Sequence, residues 1–322
     1  MNTNKYKPMF GKNGDTDLFN KNNLAMYIFE PKFSGIRVFI YKDGNDIEIF
    51  DSLNRKITNK FPELLDVCKN IMCNSCVLDA ELVLLNKYRE SQELLELRIL
   101  LDKKQQIDKM CSQFPAILFV FDILEIEGIE ITNKQLRERK RLLDEMIIES
   151  ELIKKIPYSL DRKFTSEKKY YHTNGFMAKE LGSLYESGIR SWKWLKLNEY
   201  KTAEAIVLGY KKNNGKDKKK TVDVILGMFD KRFNRWAKFV NFEIEDKARI
   251  SSFLDLSKNI KIDKSLFDEE EIKKIKNNKK FNWLSPEIVL EFYYDEFKDN
   301  LFTNPKFSRI RFDKNHKSFL EN

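Results

Sequence analysis

The residues best equipped for chemistry lie in one stretch, Glu30-Pro31-Lys32-Phe33-Ser34-Gly35-Ile36-Arg37. A lysine set among a carboxylate, a glycine and an arginine suits covalent nucleotidyl transfer, with the amine as nucleophile. An amine attacks only when neutral, and the reference lysine pKa is about 10.4, so neighbouring cations or desolvation must lower it. Arg37 falls on the side of an incoming ribose-phosphate, and Gly35 lets backbone approach the ligand closely. K-x-x-G-x-R is short, and an ordinary charged strand also satisfies it, so its weight depends on what the rest of the chain supplies.

Further stretches carry parts that this chemistry needs. Val77 to Leu85 is β-rich and short, yet holds Asp79 and Glu81 within an apolar run. Residues two apart on a strand share a face, so both carboxylates can enter one cleft, where a carboxylate holds Mg²⁺ or a ribose hydroxyl. Ile117 to Ile126 reads as another strand, with Phe119 and Phe121 on one face as a stackable wall and Asp122 opposite. Asn174 to Asn198 sets Lys179, Arg190, Lys193 and Lys196 among small residues and aromatics. Lys179 and Lys196 sit in apolar local patterns, where an unpaired charge would be costly, so a buried anion accounts for them better than solvent does. Lys211 to Lys220 is a basic loop directed at phosphates. Arg309 to Lys314 sets arginine and lysine on alternating strand positions, again facing phosphate. Gly209 to Lys216 falls short of a P-loop, because five residues separate its glycines and Asp217 stands where Ser or Thr is required.

Other chemistries are poorly supplied. The chain has two histidines, His172 and His316, which leaves little for imidazole general-base work. Cys73 and Cys76 have zinc-ligand spacing without a second pair nearby, so the four cysteines are expected as reduced thiols.

These residues need elements to hold them. At 322 residues the chain is long enough for two domains, each with a core. A hydrophobic content of 42% describes a folded protein, and a net charge of +9 spread among interleaved acids favours an anionic partner. Nucleic acid is the first expectation and an acidic membrane surface the second. No apolar run approaches the roughly 20 residues that span a bilayer, and Met1 to Lys7 lacks a signal-peptide core, so a cytosolic location is expected. Ile36 to Tyr41 and Asp46 to Phe50 flank an Asp-Gly turn and predict a hairpin just after Lys32. Helices are expected over Pro62 to Ile71, Ser91 to Lys103 and Thr132 to Ser150, the last without chemistry. Beyond Tyr200, short β-like runs at Ala205 to Tyr210, Thr221 to Phe229, Arg235 to Val240 and Ile288 to Tyr294 predict a small barrel, with a helix at Asp246 to Leu256.

Taken in order, these stretches resemble the ATP-dependent DNA ligases, especially the compact bacterial type associated with end-joining repair. Glu30 to Arg37 is similar to the family's nucleotidyl-lysine motif E-P-K-x-D-G-x-R. Val77 to Leu82 resembles V-L-D-G-E, Phe119 to Leu124 resembles F-D-L-L, and Gly175 to Lys179 resembles E-G-V-V-A-K. Ser191 to Lys196 is similar to S-W-x-W-L-K, and Arg309 to Lys314 to R-x-R-x-D-K. The resemblance implies an α+β fold: an adenylation (nucleotidyltransferase) domain of antiparallel sheets and flanking helices over 1–200, then a small OB-fold β-barrel domain over 201–322.

It also implies a three-step reaction using ATP and Mg²⁺ (or Mn²⁺). Lys32 attacks the α-phosphate, releasing pyrophosphate and becoming lysyl-AMP, the AMP passes to a 5′-phosphate, and a 3′-hydroxyl displaces it to seal the strand. By the same resemblance Glu30 and Phe121 border adenine, Arg37 and Glu81 approach the ribose, and Glu81 also serves the metal. Lys179, Arg190 and Lys196 would belong to the nucleotide site, the two lysines on the α-phosphate. Arg311, Asp313 and Lys314 would orient pyrophosphate, the OB domain swinging in and then away. Arg55, Lys211, Lys212, Lys216 and Lys218 would meet nucleic acid. The implied partner is nicked or broken double-stranded DNA, engaged by a monomer recruited by end-joining proteins, in the cytoplasm and at the nucleoid. Four departures stand out: Ser34 in place of Asp, Asn174 in place of a metal-associated Glu, Asn198 in place of a second lysine, and Arg55 in place of the arginine of an S-R pair. Asn174 brings no negative charge to balance a divalent ion. Two alternatives remain open: an RNA ligase or capping guanylyltransferase, and a degenerate relative that binds nucleic acid without ligation.

Overall fold

The computed structural model describes residues 5–14, 27–86, 89–161, 175–197, 201–214, 220–231, 234–273, 275, 278–298 and 301–314. The chain divides into two compact units, Met1–Glu199 and Tyr200–Asn322.

The first unit is built on two sheets. The smaller orders β1 (Phe10–Asn13), β11 (Arg190–Leu197), β10 (Phe176–Glu180) and β2 (Tyr27–Pro31). The larger orders β4 (Asp46–Asp51), β3 (Ile36–Asp43), β5 (Ser75–Asn86), β7 (Ala116–Ile126) and β8 (Ile129–Glu130). Two short strands extend it, β6 (Arg89–Glu90) against β5 and β9 (Ile153–Lys155) parallel to β7. The expected hairpin forms, with Asp43 paired to Asp46 across Gly44 and Asn45.

The period of two along β3, β5 and β7 divides the unit's interior. Val38, Ile40, Leu78, Ala80, Leu82 and Leu118 enter one core together with Leu64, Leu95 and Leu143 of the covering helices. The alternate residues Phe39, Tyr41, Val83, Phe119 and Phe121 enter another, which also holds Met9, Tyr185 and Trp194. That second core draws on both sheets, so it is where they pack, and the chemistry-bearing residues line it.

The covering elements differ in part from expectation. Pro62–Asn70 is a 3₁₀ helix, not an α-helix, and buries Leu64 and Val67 while Leu65 is exposed. Burial at a spacing of three matches three residues per turn. Helix α1 (Gln92–Leu100) is capped by Ser91, whose side chain accepts the Leu94 N–H. Helix α2 (Lys104–Gln113) was not expected; it buries Ile107 alone and so leaves almost no apolar stripe to read. Helix α3 (Leu136–Met146) is shorter than the charged stretch containing it, and Ile147 leaves it to bridge Ile71.

The second unit is a curled sheet of the OB type. Strand β12 (Lys201–Asn214) pairs through Lys201–Ile206 with β17 (Val289–Tyr294) and through Ile206–Asn214 with β13 (Lys220–Asp230). Strand β14 (Arg235–Ile244) pairs with β13, and β20 (Lys306–Ile310) with β17. Helix α4 (Lys247–Ser257) places Ile250 and Phe253 in the core formed by Val207, Val224, Phe242 and Phe292. β15 (Lys261–Ile262) and β16 (Asn282–Leu284) extend the sheet beside β12, and β18 (Phe297–Lys298) and β19 (Leu301–Phe302) form a separate hairpin. Gly209 lies at a bulge in β12, where a Cβ would stand 2.7 Å from the Trp283 ring. It is a packing glycine within a strand.

Candidate active site

Lys32 follows β2 directly and is half-buried. The four residues from Lys32 to Gly35 link β2 to β3, and every one of them is tied to a neighbouring element. Lys32 donates its backbone N–H to the Gly175 carbonyl at 2.9 Å. Phe33 stacks on Phe119 with ring centroids 4.0 Å apart. Ser34 donates its backbone N–H to Glu90 Oε2 at 2.9 Å. Gly35 lies so close to β5 that a Cβ would stand 2.1 Å from the Leu82 carbonyl oxygen. The close approach expected of Gly35 is therefore to a strand, where any side chain would collide, and not to a ligand.

Register explains which charges gather beside this loop. In the smaller sheet Lys179 stands opposite Trp194 on one side and Ile28 on the other, so Glu30, two residues along from Ile28, is its diagonal neighbour. Lys179 Nζ is 2.6 Å from Glu30 Oε2, and lies 4.1 Å from the Trp194 ring centroid and 4.3 Å from that of Phe121. Lys140 on α3 reaches the other oxygen, Oε1, at 2.5 Å. All three charged groups are at most 4% exposed. Beneath them Arg139 grips Asp122 with two bonds, at 2.8 and 2.9 Å. Burial pushes the Asp122 carboxyl up, but Arg139, with Lys179 and Lys140 nearby, holds it below the usual carboxylate range. Burial lowers the Lys179 ammonium, and so does Lys140; Glu30 and Asp122 oppose this without restoring the ordinary value. Two carboxylates face three cations in this cluster, an excess of one positive charge that a bound phosphate would balance.

Arg37 and the two strand acids are arranged differently from expectation. Arg37 stands opposite Glu81, which in turn stands opposite Phe119. Its guanidinium nevertheless turns to Asp79, with Nε donating to Oδ1 at 2.9 Å and Nη2 to Oδ2 at 2.6 Å. Nη1 donates to the Met9 carbonyl at 2.5 Å, and the Tyr185 hydroxyl donates to Asp79 at 2.7 Å. The expected sharing of one cleft by Asp79 and Glu81 gives way to a division: Asp79 is buried under Arg37, and Glu81 is half-buried. All three nitrogens of Arg37 thus donate within the chain, to Asp79, the Met9 carbonyl and the Tyr185 hydroxyl. The strict alternation expected around Asp122 is also broken, since a bulge in the β5–β7 pairing sets Asp122 opposite Asp79.

Lys196 is half-buried on β11, opposite Met177 of β10 and Asn13 of β1. Arg190, exposed, donates to the Gly11 carbonyl at 3.2 Å, and Lys193 pairs with Glu186 at 3.0 Å. Arg55 is held in a turn by Asp51, 2.5 Å from its guanidinium. In the second unit, Lys211 pairs with Asp223 at 2.7 Å and Lys212 is exposed. Lys216 and Lys218 lie outside the described residues, as do Asn174, Asn198 and both histidines. Arg311, Asp313 and Lys314 follow β20 in a turn, not on alternating strand positions, with the Lys314 N–H donated to the Arg311 carbonyl. Arg311 binds Asp313 at 2.8 and 2.6 Å and Glu291 at 3.1 Å, and Glu204 bridges Arg311 to Lys314. The four cysteines are unbridged, and among the described residues no three His, Cys, Asp or Glu side chains form a metal-holding group.

The family model for the ATP-dependent DNA ligase domain matches residues 8–198, more than half of the chain. The chain belongs to this family. A DNA ligase of Sulfolobus acidocaldarius is 27% identical over 220 residues, 63% of this chain and 36% of that protein. A DNA ligase of Nanoarchaeum equitans is 24% identical over 314 residues, 90% of this chain and 53% of that protein. The chain spans about a third to a half of the length of the first curated relatives it matches. A solved structure of a mycobacterial DNA ligase D complexed with ATP and MES superposes with a TM-score of 0.59 at 17% identity, covering 98% of this chain and 97% of the other. That likeness concerns the fold.

Within this ligase-family domain, three contributors to the site escaped the sequence reading. Lys140 and Arg139 lie on the helix expected to carry no chemistry, yet both are buried. Glu90 ends a stretch without regular periodicity and gave no signal at all. Apolar residues at 136 and 143 frame Arg139 and Lys140 on the inward face of α3, and that spacing was the one available clue.

Proposed function

We propose that this chain is an ATP-dependent DNA ligase that seals nicks or breaks through a Lys32–AMP intermediate and an adenylated 5′-phosphate. The observation that carries the reading is the buried Glu30–Lys140–Lys179 cluster with its uncompensated positive charge, two residues from a lysine whose loop is fixed on every side. Lys32 attacks the α-phosphate of ATP, Lys179 and Lys196 bear the charge that develops on it, and Phe121 with Glu30 borders the adenine. Arg37 acts through Asp79, holding the segment around Met9 against the site, and Arg190 lies at its edge. Glu81 is the carboxylate assigned to a divalent ion. One or two carboxylates plus substrate phosphates suffice for Mg²⁺, which would supply charge neutralisation at phosphorus when bound. Arg311, Asp313 and Lys314 are assigned to pyrophosphate, and Lys211, Lys212, Lys216 and Lys218, with Arg55, to DNA. The protein would work as a monomer in the cytoplasm, at the nucleoid; among the described residues no helix is long and apolar enough to cross a membrane.

Incubation with radiolabelled ATP and Mg²⁺ followed by a denaturing gel tests this. Wild type is expected to carry a covalent label that Lys32→Ala abolishes. Labelling from GTP alone would favour the guanylyltransferase reading, and absence of label from either nucleotide would favour the non-catalytic binder. Nicked DNA against nicked RNA then decides the polymer.

A further inference from the structure

The loop that presents Lys32 lacks an acid of its own: position 34 is serine. A carboxylate reaches the backbone N–H of that residue from elsewhere in the fold. Glu90 Oε2 accepts the backbone N–H of Ser34 at 2.9 Å, and Ser34 is 8% exposed, so the bond is shielded from competing water. Glu90 is itself rigidly placed. Its strand β6 pairs with β5 through Leu85, and the next residue, Ser91, both caps α1 and donates its N–H to the Leu84 carbonyl at 2.9 Å. A side chain anchored on both flanks therefore fixes a loop whose other three residues are fixed by Gly175, Phe119 and Leu82.

We infer that Glu90 is a positioning residue for Lys32, holding the backbone N–H of Ser34 from β6 and so fixing the loop that carries the lysine. The inference rests on the reading of Lys32 as the nucleophile. Charge and geometry both enter: an ionised acceptor binds an N–H more strongly than a neutral one, and a reacting amine must be held to within a fraction of an ångström. A carboxylate placed on residue 34 itself cannot accept its own residue's N–H in a straight bond, and beside Glu90 the two charges should repel.

The test measures single-turnover transfer of radiolabelled AMP to the full chain at saturating and limiting ATP, with amide hydrogen exchange at Ser34 as a second readout. Glu90→Ala is expected to slow transfer at saturating ATP by about ten-fold or more with little change in the ATP dependence, and to speed exchange at Ser34. Glu90→Gln, which keeps an acceptor without the charge, should fall between. Ser34→Asp should slow the wild type and should not restore Glu90→Ala. A wild-type rate in Glu90→Ala, or a slowed Glu90→Ala whose exchange at Ser34 is unchanged, overturns the inference and leaves the ligase reading standing. A wild type that takes no label overturns both.

Discussion

At the scale of single residues, the site is decided by which charges are paired inside the fold. Asp79 and Asp122 are both essentially inaccessible, and each is gripped by an arginine through two bonds. Removing one partner of such a buried pair strands the other, so Asp122→Asn should cost about 3–5 kcal/mol in urea unfolding. The sign of the pH dependence follows from the depressed value of Asp122. Its contribution is complete above the unfolded carboxylate value of about 3.9 and is lost as pH falls through the lower folded-state value. Wild type should therefore lose stability on acidification below about pH 4 more steeply than Asp122→Asn, which lacks this group.

At the scale of elements, the Lys32 loop shows how a motif depends on its neighbours. Lys32 becomes a candidate through its residue types, a lysine among Glu30, Gly35 and Arg37, and gains weight only from the stretches that follow. The role of Gly35 was not legible, since its requirement comes from the Leu82 carbonyl on a strand more than forty residues on. Gly35→Ala must push the loop off β5. A loss of about 1–3 kcal/mol in stability is expected, together with roughly a hundred-fold slower labelling of Lys32, measured by thermal unfolding and the AMP-transfer assay. Strands β5 and β7 were readable as β-rich apolar runs, but the bulge that sets Asp122 opposite Asp79 depends on pairing and leaves no mark in either strand read singly. The helix expected over Pro62 to Ile71 forms as a 3₁₀ helix at Pro62–Asn70, a distinction its apolar spacing does not carry.

At the scale of the whole molecule, the net charge of +9 makes an electrostatic prediction that does not depend on the site. Binding of nicked duplex should weaken linearly on a plot of log affinity against log salt. Lys212→Ala, which removes an exposed cation on β12, should reduce the slope by about one while leaving Lys32 labelling unchanged. An unchanged slope would remove Lys212 from the DNA-facing set. The sequence by itself determined the order of the chemical parts, the α+β character and the curled β-rich second unit. Composition, motif spacing and hydrophobic period are local properties, and they survive in a string of letters. Only the tertiary structure decided that Asp79 serves Arg37, that Lys140 shares Glu30 with Lys179, and that a carboxylate reaches Ser34 from Glu90. Each of these joins residues tens of positions apart. Which partner a buried charge takes depends on strand register and on what else lies within a few ångströms, and neither is written in the spacing of any one stretch.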